Sequence, residues 1–314
     1  MTRLSPEGYA NWDSAPKFRR QDNMTHDDSP GRMLRDAAGT ETLQIPGAPF
    51  ALAGRLIQQM GFPAMYLSGG AFSAGILGLP DVGLFTLSEL VQQTTWLTRS
   101  VDIPVIVDAD TGFGDTVNVE RTVVELEAAG VAAIQLEDQQ LPKRCGHLSG
   151  KSLIEADAMC SKIKAAVSMR YDEDLIIIAR TDARGVDGLD AAIDRAKRYV
   201  DAGADWIFPE SPRDESEFER FAKEIDVPLM ANMTEFGKSP LLDRQTLQDM
   251  GYAAIIYPVT LLRIAMRASE AALAVIESDG TQDSMLDLMQ TREELYELLD
   301  YDDYGERDAA YRGK

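Results

Sequence analysis

Cysteine and histidine each occur only twice in this chain of 314 residues, at Cys145 and Cys160 and at His26 and His147. Two cysteines do not make the disulfide framework of a secreted domain, so both are expected as thiols. There is no C-x-x-C pair, and one of the two histidines lies far out in the N-terminal stretch, so a tetrahedral zinc site lacks ligands. Long apolar runs are missing as well. Segments such as Val105–Val107 and Ile176–Ala179 are short, far from the roughly 18 consecutive apolar residues of a bilayer span. The stretch from Met1 to Arg20 has no apolar signal core, and a cytoplasmic protein is expected. Positive charge is scarce: 31 Lys and Arg face 52 Asp and Glu, a formal net charge of −21, and only nine of the basic residues are lysines. That field repels nucleic acid and anionic membranes as general partners, but a local basic cluster can still bind a small anion. Excess carboxylate with little lysine is also the pattern expected of a halophilic protein, where salt screens self-repulsion.

A regular alternation fills the rest of the chain. Residues 1–30 are rich in Pro, Asp, Asn and Arg without periodicity and read as a flexible extension. Eight short apolar runs then read as buried parallel strands: Thr42–Ile45, Ala64–Leu67, Val105–Val107, Ala133–Leu136, Leu175–Ala179, Trp206–Phe208, Leu229–Ala231 and Ala254–Ile256. Amphipathic stretches of helical period, among them Leu87–Leu97, Asn118–Ala129, Glu155–Met169, Leu189–Ala202 and Glu215–Ile225, separate them. Strands alternating with helices and no break in composition predict one α/β domain over 31–300, a (β/α)₈ TIM-type barrel, with a doubly wound open sheet as the alternative. Thr260–Glu277 and Met285–Leu299 read as long C-terminal helices beyond the barrel's need, and 301–314 as a frayed charged tail.

Polar residues gather directly after the apolar runs: Ser68-Gly69-Gly70, Asp108 to Gly114, Glu137-Asp138, Arg180-Thr181-Asp182, Glu210 and Asn232. In a barrel these positions share one face, where a substrate binds, and burying so many polar groups for stability alone is costly. Asp108 and Asp110 stand two residues apart at a strand end, so both carboxylates can face one cation. Hard oxygen ligands in small number suit Mg²⁺, or Mn²⁺, with Glu137 and Asp81 supporting through water. The competing reading is that the two aspartates cap the following turn. The segment Lys143-Arg144-Cys145-Gly146-His147 sets a thiol between basic residues, an arrangement expected to lower its pKa. It is open between proton donor, base and nucleophile, and Gly146 and Gly150 give the segment the look of a lid. Gly69 and Gly70 offer backbone N–H groups to an anion. Arg180, Arg263 and Arg292 are candidate carboxylate clamps, though for each a surface ion pair is the plainer role.

These segments, together with Tyr66-Leu67 ahead of Ser68, Asn232-Met233-Thr234-Glu235-Phe236-Gly237 and Met289-Gln290-Thr291-Arg292, resemble the isocitrate lyase/phosphoenolpyruvate mutase superfamily and, within it, the 2-methylisocitrate lyases. The likeness runs from about Leu43 to Tyr301, and the K-R-C-G-H segment belongs to the lyase branch. It implies a phosphoenolpyruvate/pyruvate-type barrel with its last helix swapped between subunits, usually in a homotetramer. It further implies a carbon–carbon lyase of the methylcitrate cycle that splits 2-methylisocitrate into pyruvate and succinate. On this resemblance Asp108 and Asp110 hold Mg²⁺, with Asp81 and Glu137 at one remove. Cys145 is the general acid, with His147 and Glu210 beside it. Ser68, Gly69, Gly70, Gly146, Arg180, Glu210, Asn232, Thr234, Arg263 and Arg292 line the substrate, and Phe208, Ile256 and Pro258 take its methyl group. Ile256 stands where Leu is expected, which leaves that pocket apolar. Isocitrate, dimethylmalate and oxaloacetate are the alternative substrates, and a carboxylate-binding barrel without catalysis is the alternative of another class.

Overall fold

The computed structural model describes residues 29–312. The chain runs α1 (Pro30–Ala38), β1 (Leu43–Pro46), α2 (Ala51–Gln59), β2 (Met65–Leu67), α3 (Gly69–Gly75), α4 (Leu87–Ser100), β3 (Val105–Asp108), α5 (Thr116–Ala128), β4 (Ala133–Glu137) and α6 (Ala156–Met169). It continues through β5 (Ile176–Thr181), α7 (Leu189–Asp201), β6 (Trp206–Pro209), α8 (Glu215–Glu224), β7 (Met230–Asn232), α9 (Arg244–Met250), β8 (Ala254–Tyr257), α10 (Thr260–Asp279), α11 (Arg292–Leu298) and α12 (Tyr301–Tyr311). All eight predicted strands form. They pair in parallel as β2-β3-β4-β5-β6 and as β1-β8-β7. Single bridges from Gly47 to Tyr66 and from Ile207 to Leu229 join the two sets into a closed barrel. Pairing of β1 with β8 excludes the open-sheet alternative.

Strand alternation sorts the core into two shells. Ile106, Ile176, Ile178, Trp206, Phe208, Met230 and Ile256 point into the barrel, while Val105, Val107, Ile177, Ala179, Ile207 and Ile255 pack outward against the helices. Leu34 of α1 is fully buried with the inward set, so α1 plugs the end of the barrel where the strands begin. Arg35 fastens that plug through the Asp174 carbonyl at 3.0 Å and the Asp205 carboxylate at 2.8 Å. The strands therefore end at the opposite mouth, which carries the polar residues.

Two expectations fail at the ends of the chain. Residues 301–311, expected as a frayed tail, are the helix α12, held by a stacked Tyr296–Tyr301 pair and by Arg55 on Asp300. The expected helix Met285–Leu299 is instead a 3₁₀ turn over Asp283–Leu288 followed by the short α11, which the Thr291–Glu294 capping box starts afresh. Of the expected extension 1–30, all but Ser29 and Pro30 lies outside the described residues, His26 included. Ser29 caps α1 and Pro30 opens it.

Candidate active site

The carboxylates meet at the barrel mouth. Oxygens of Asp108, Asp110 and Glu137, all buried, lie within 4.8 Å of one another. Glu137, expected at one remove, stands level with the two aspartates. Asp108 is fixed from two sides: the Gly69 N–H donates to its Oδ2 (3.2 Å) and Gln135 Nε2 to its Oδ1 (2.9 Å). Gln135 is itself held by the Tyr66 hydroxyl at 2.6 Å. Thus the Gly69 N–H, expected to face an anion, points at Asp108. A side chain at Gly69 would crowd Asp110 Oδ1 and Asp108 Oδ2 at 3.1 and 3.2 Å, so glycine keeps the approach to these oxygens open. Asp110 adopts a left-handed backbone (φ 47°), a strained conformation for a non-glycine residue and of the kind concentrated at functional sites.

Packing these acids together penalises their full ionisation. Burial is the main force pushing the Asp110 carboxyl up to about 7; Lys143 pulls it back and Asp108 adds to the rise. Glu137 is raised, again by burial first, against the pull of Arg180 and Lys143. Glu137 Oε1 is buried and accepts no hydrogen bond. Three converging buried carboxylates with a spare oxygen fit a small hard cation.

Lys143 does not flank the thiol as its sequence position implied. Its ammonium is buried between Asp110 Oδ1 (2.6 Å) and Asp81 Oδ1 (2.5 Å), so Asp81 reaches the carboxylate cluster through Lys143. Arg144 turns outward to the Ser149 carbonyl. The expected lowering of the Cys145 pKa is therefore wrong. Burial raises it; the His147 backbone N–H and Arg180 offset this in part, and Glu210 and Asp81 add to it.

His147 shows how the segment is seated. Its Nδ1 accepts the Lys238 backbone N–H at 2.9 Å, which assigns the proton of the neutral ring to Nε2, and Nε2 lies 2.7 Å from Glu210 Oε1. Burial opposes ionisation of Glu210, yet Arg180 and the His147 hydrogen bond hold its carboxyl well below the usual range. Arg180 ties the acids together, reaching Glu137 Oε2 (3.1 Å), Asp182 Oδ2 (3.0 Å) and Glu210 Oε2 (3.6 Å). Asn232 Nδ2 donates to Glu210 Oε2 at 3.3 Å, and the Thr234 N–H returns to Asn232 Oδ1 at 3.0 Å.

The structure thus gathers Asp108, Asp110, Glu137, Asp81, Arg180, Glu210, Asn232, Cys145, Gly146 and His147. Ser68 is the N-cap of α3, accepting from Ala71 N–H, and Gly70 packs on the Asp81 carboxylate. Arg263 stands apart, half exposed over the Phe236 ring and 3.5 Å from Glu235. Arg292 is exposed on the first turn of α11 and has no bond to the buried cluster. Sequence reasoning missed Lys151, Ser211 and Gln135, and named Tyr66 only as part of the resemblance, with no role. Tyr66 and Gln135 lie inside strands, where a polar residue among buried neighbours was the available signal.

A phosphoenolpyruvate phosphomutase family profile matches residues 36–277. The chain is 51% identical over 281 residues to 2-methylisocitrate lyase of Aeropyrum pernix, covering 89% of this chain and 90% of that one. The chain belongs to the phosphoenolpyruvate mutase/isocitrate lyase superfamily. Within the superfamily it sits with the carbon–carbon lyases. The crystal structure of 2,3-dimethylmalate lyase superposes with a TM-score of 0.86 at 32% identity, over 92% of this chain and 96% of that one. Phosphonopyruvate hydrolase, solved with oxalate and Mg²⁺, superposes with a TM-score of 0.79 at 28% identity, over 90% of this chain and 99% of that one.

Proposed function

We propose that the chain cleaves 2-methylisocitrate to pyruvate and succinate, with Mg²⁺ at Asp108, Asp110 and Glu137 and with Cys145 as the proton donor. The observation that carries this reading is a part-buried thiol that shares its charged surroundings with the carboxylate cluster and whose pKa burial raises. Arg180 and Asp81 both act on Cys145, while Arg180 pairs with Glu137 and Asp81 shares Lys143 with Asp110. The name of the Aeropyrum pernix relative supports the substrate. The Mg²⁺ in the phosphonopyruvate hydrolase complex, together with the three hard-oxygen ligands, supports the metal.

Held by Asp108, Asp110 and Glu137, the ion would supply Lewis acidity that lowers the pKa of the substrate hydroxyl. Arg180, fixed by three carboxylates, orients a substrate carboxylate at the mouth. As the carbon–carbon bond breaks, its electron pair passes to the succinate carbon and the hydroxyl oxygen becomes the ketone of pyruvate. Cys145 protonates that carbon. The hydroxyl proton passes to solvent, the thiol supplies one to carbon and solvent returns one to the thiolate, so protons and electrons balance. The thiolate left behind faces the His147 backbone N–H and Arg180, which ease its charge until it is reprotonated.

Incubation with 2-methylisocitrate and Mg²⁺, with product analysis, tests the proposal. Pyruvate and succinate in equal amounts are expected. Glyoxylate as the dominant product would make isocitrate the substrate, and turnover of dimethylmalate or oxaloacetate alone would move the chain to those relatives. No turnover of any of the four would favour a carboxylate-binding barrel.

The same reading includes a homotetramer with exchanged C-terminal helices. None of the 20 residues of α10 is buried, and Ile264, Met266, Leu273 and Ile276 are exposed along it. A second copy of the chain covers this face in our reading.

A further inference from the structure

Lys151 lies outside the reaction described above, yet its ammonium is almost fully buried, with a side-chain exposure of 1%. It bonds Asp182 Oδ1 at 2.6 Å and donates to the carbonyl of Gly146, the residue between Cys145 and His147. Ser211 Oγ donates to the same carbonyl at 3.2 Å. Asp182 Oδ1 also receives Arg180 Nη2 at 3.1 Å, and the Asp182 backbone N–H is anchored on Asp138 Oδ1 at 2.9 Å. The far end of this chain of contacts, Asp138, is gripped by Thr181 and Tyr199 at 2.7 and 2.8 Å. A rigid strand end therefore reaches, through Asp182 and Lys151, to one peptide of the Cys145 segment.

We infer that Lys151 is a positioning residue that latches the Cys145–His147 segment onto the barrel, and so sets the thiol and the His147–Glu210 pair in their working places. The inference rests on the reading of Cys145 as proton donor. The room at Gly146 is what makes the latch sensitive. A Cβ there would fall 2.5 Å from Arg180 Nη2 and from Glu210 Cγ and Cδ, so the segment lies directly on those side chains and any lift separates them. A buried ion pair is a poor choice for stability alone, because a well-packed apolar replacement is often neutral or better. A buried lysine in a chain with only nine lysines is therefore better explained by the peptide it holds than by the energy of its pair.

The test is Lys151→Met, which keeps the length of the side chain and removes the charge, beside Lys151→Arg, which keeps the charge. The first readout is alkylation of the intact protein by N-ethylmaleimide, followed by peptide mass spectrometry. Cys160, on α6 and part-buried like Cys145, is the internal reference. Lys151→Met is expected to speed modification of Cys145 about tenfold or more, the population shift that follows from losing one hydrogen bond to a charged group, with Cys160 unchanged. Lys151→Arg should recover much of the protection. With 2-methylisocitrate, kcat of Lys151→Met should fall about 100-fold, the scale of a small misplacement of a reacting group, with KM changed far less.

Equal acceleration at both cysteines would show general loosening and overturn the proposal. So would an unchanged Cys145 rate, or the Arg variant matching Met. Should Lys151→Met not fold, Lys151→Gln, uncharged and of similar bulk, is read by the same outcomes. The alkylation result stands whether or not 2-methylisocitrate proves to be the substrate, so failure of the latch and failure of the assigned reaction are told apart.

Discussion

Cys145 keeps its proton because burial outweighs the positive groups near it. That is the state a proton donor needs before the bond breaks, whereas a nucleophile or a metal ligand needs the thiolate. Cys145→Ser supplies a far weaker acid of almost the same shape. Substrate affinity should stay within about threefold while kcat falls about 100-fold or more, in line with loss of a general acid; normal turnover would remove Cys145 from that role. Asp110 gives a second test. With its carboxyl raised to about 7, the metal-free fold holds a proton there that the unfolded chain releases near the ordinary carboxylate value. This group's contribution to metal-free stability is therefore present in acid and lost as pH rises toward 7. Binding of Mg²⁺ must displace the same proton, so affinity should weaken about tenfold for each pH unit below 7 and level off above it. Calorimetric titration in buffers of different ionisation enthalpy measures both the affinity and the proton released. A flat profile across that range would show that Asp110 is already ionised.

Between β4 and α6 one segment carries Lys143, Cys145, Gly146, His147 and Lys151, and each faces a different partner. Lys143 goes to the carboxylates, His147 to Glu210 and to the loop after β7, and Lys151 to Asp182. The sequence marked this segment as a candidate for chemistry but not how its charges divide. Eight apolar runs placed the strands to within a residue or two, and with them the polar groups at the strand ends, because strand periodicity is local. Where Lys143 and Lys151 point depends on contacts with Asp110 and Asp182, which are distant in the chain and meet only when the barrel closes. For the same reason neighbouring basic residues gave the wrong sign for the thiol's pKa: adjacency in sequence counted, while burial could not be seen. The expected helix from Thr260 forms as α10, whereas the tail was misjudged because the charged stretch after Tyr301 gains its order from Tyr296 and Arg55, outside itself. Gly146 puts the segment's seating to the test. Gly146→Ala must lift the segment off Arg180 and Glu210, so kcat should fall about 100-fold through misplacement of the thiol. The thermal midpoint should move little, since the barrel's two apolar shells are untouched. A variant with normal kcat would mean that the segment works in a more open position than the one seen here.

The whole molecule sets strong self-repulsion against an exposed apolar face. Its net charge of −21 is spread over a surface from which the apolar residues of α10 and of the turn after it, Leu286 and Leu288 among them, also emerge. No helix among the described residues is long and apolar enough to cross a membrane, so these residues do not answer to a bilayer span. Covering them with further copies of the chain brings like charges together, at a cost that falls as salt shortens the Debye length from about 10 Å at 0.1 M to about 3 Å at 1 M. Assembly and activity should therefore rise together with KCl. Multi-angle light scattering across a series from dilute buffer to molar KCl, paired with the lyase assay, is the measurement. A tetramer at high salt that dissociates and loses activity in dilute buffer is expected. NaCl should act like KCl at equal ionic strength, because screening does not depend on which monovalent cation supplies it. A species of one size with constant activity across the series would mean that local ion pairs, such as Arg35 with Asp205 and Arg184 with Glu217, already suffice, and that the acidic surface has no bearing on assembly.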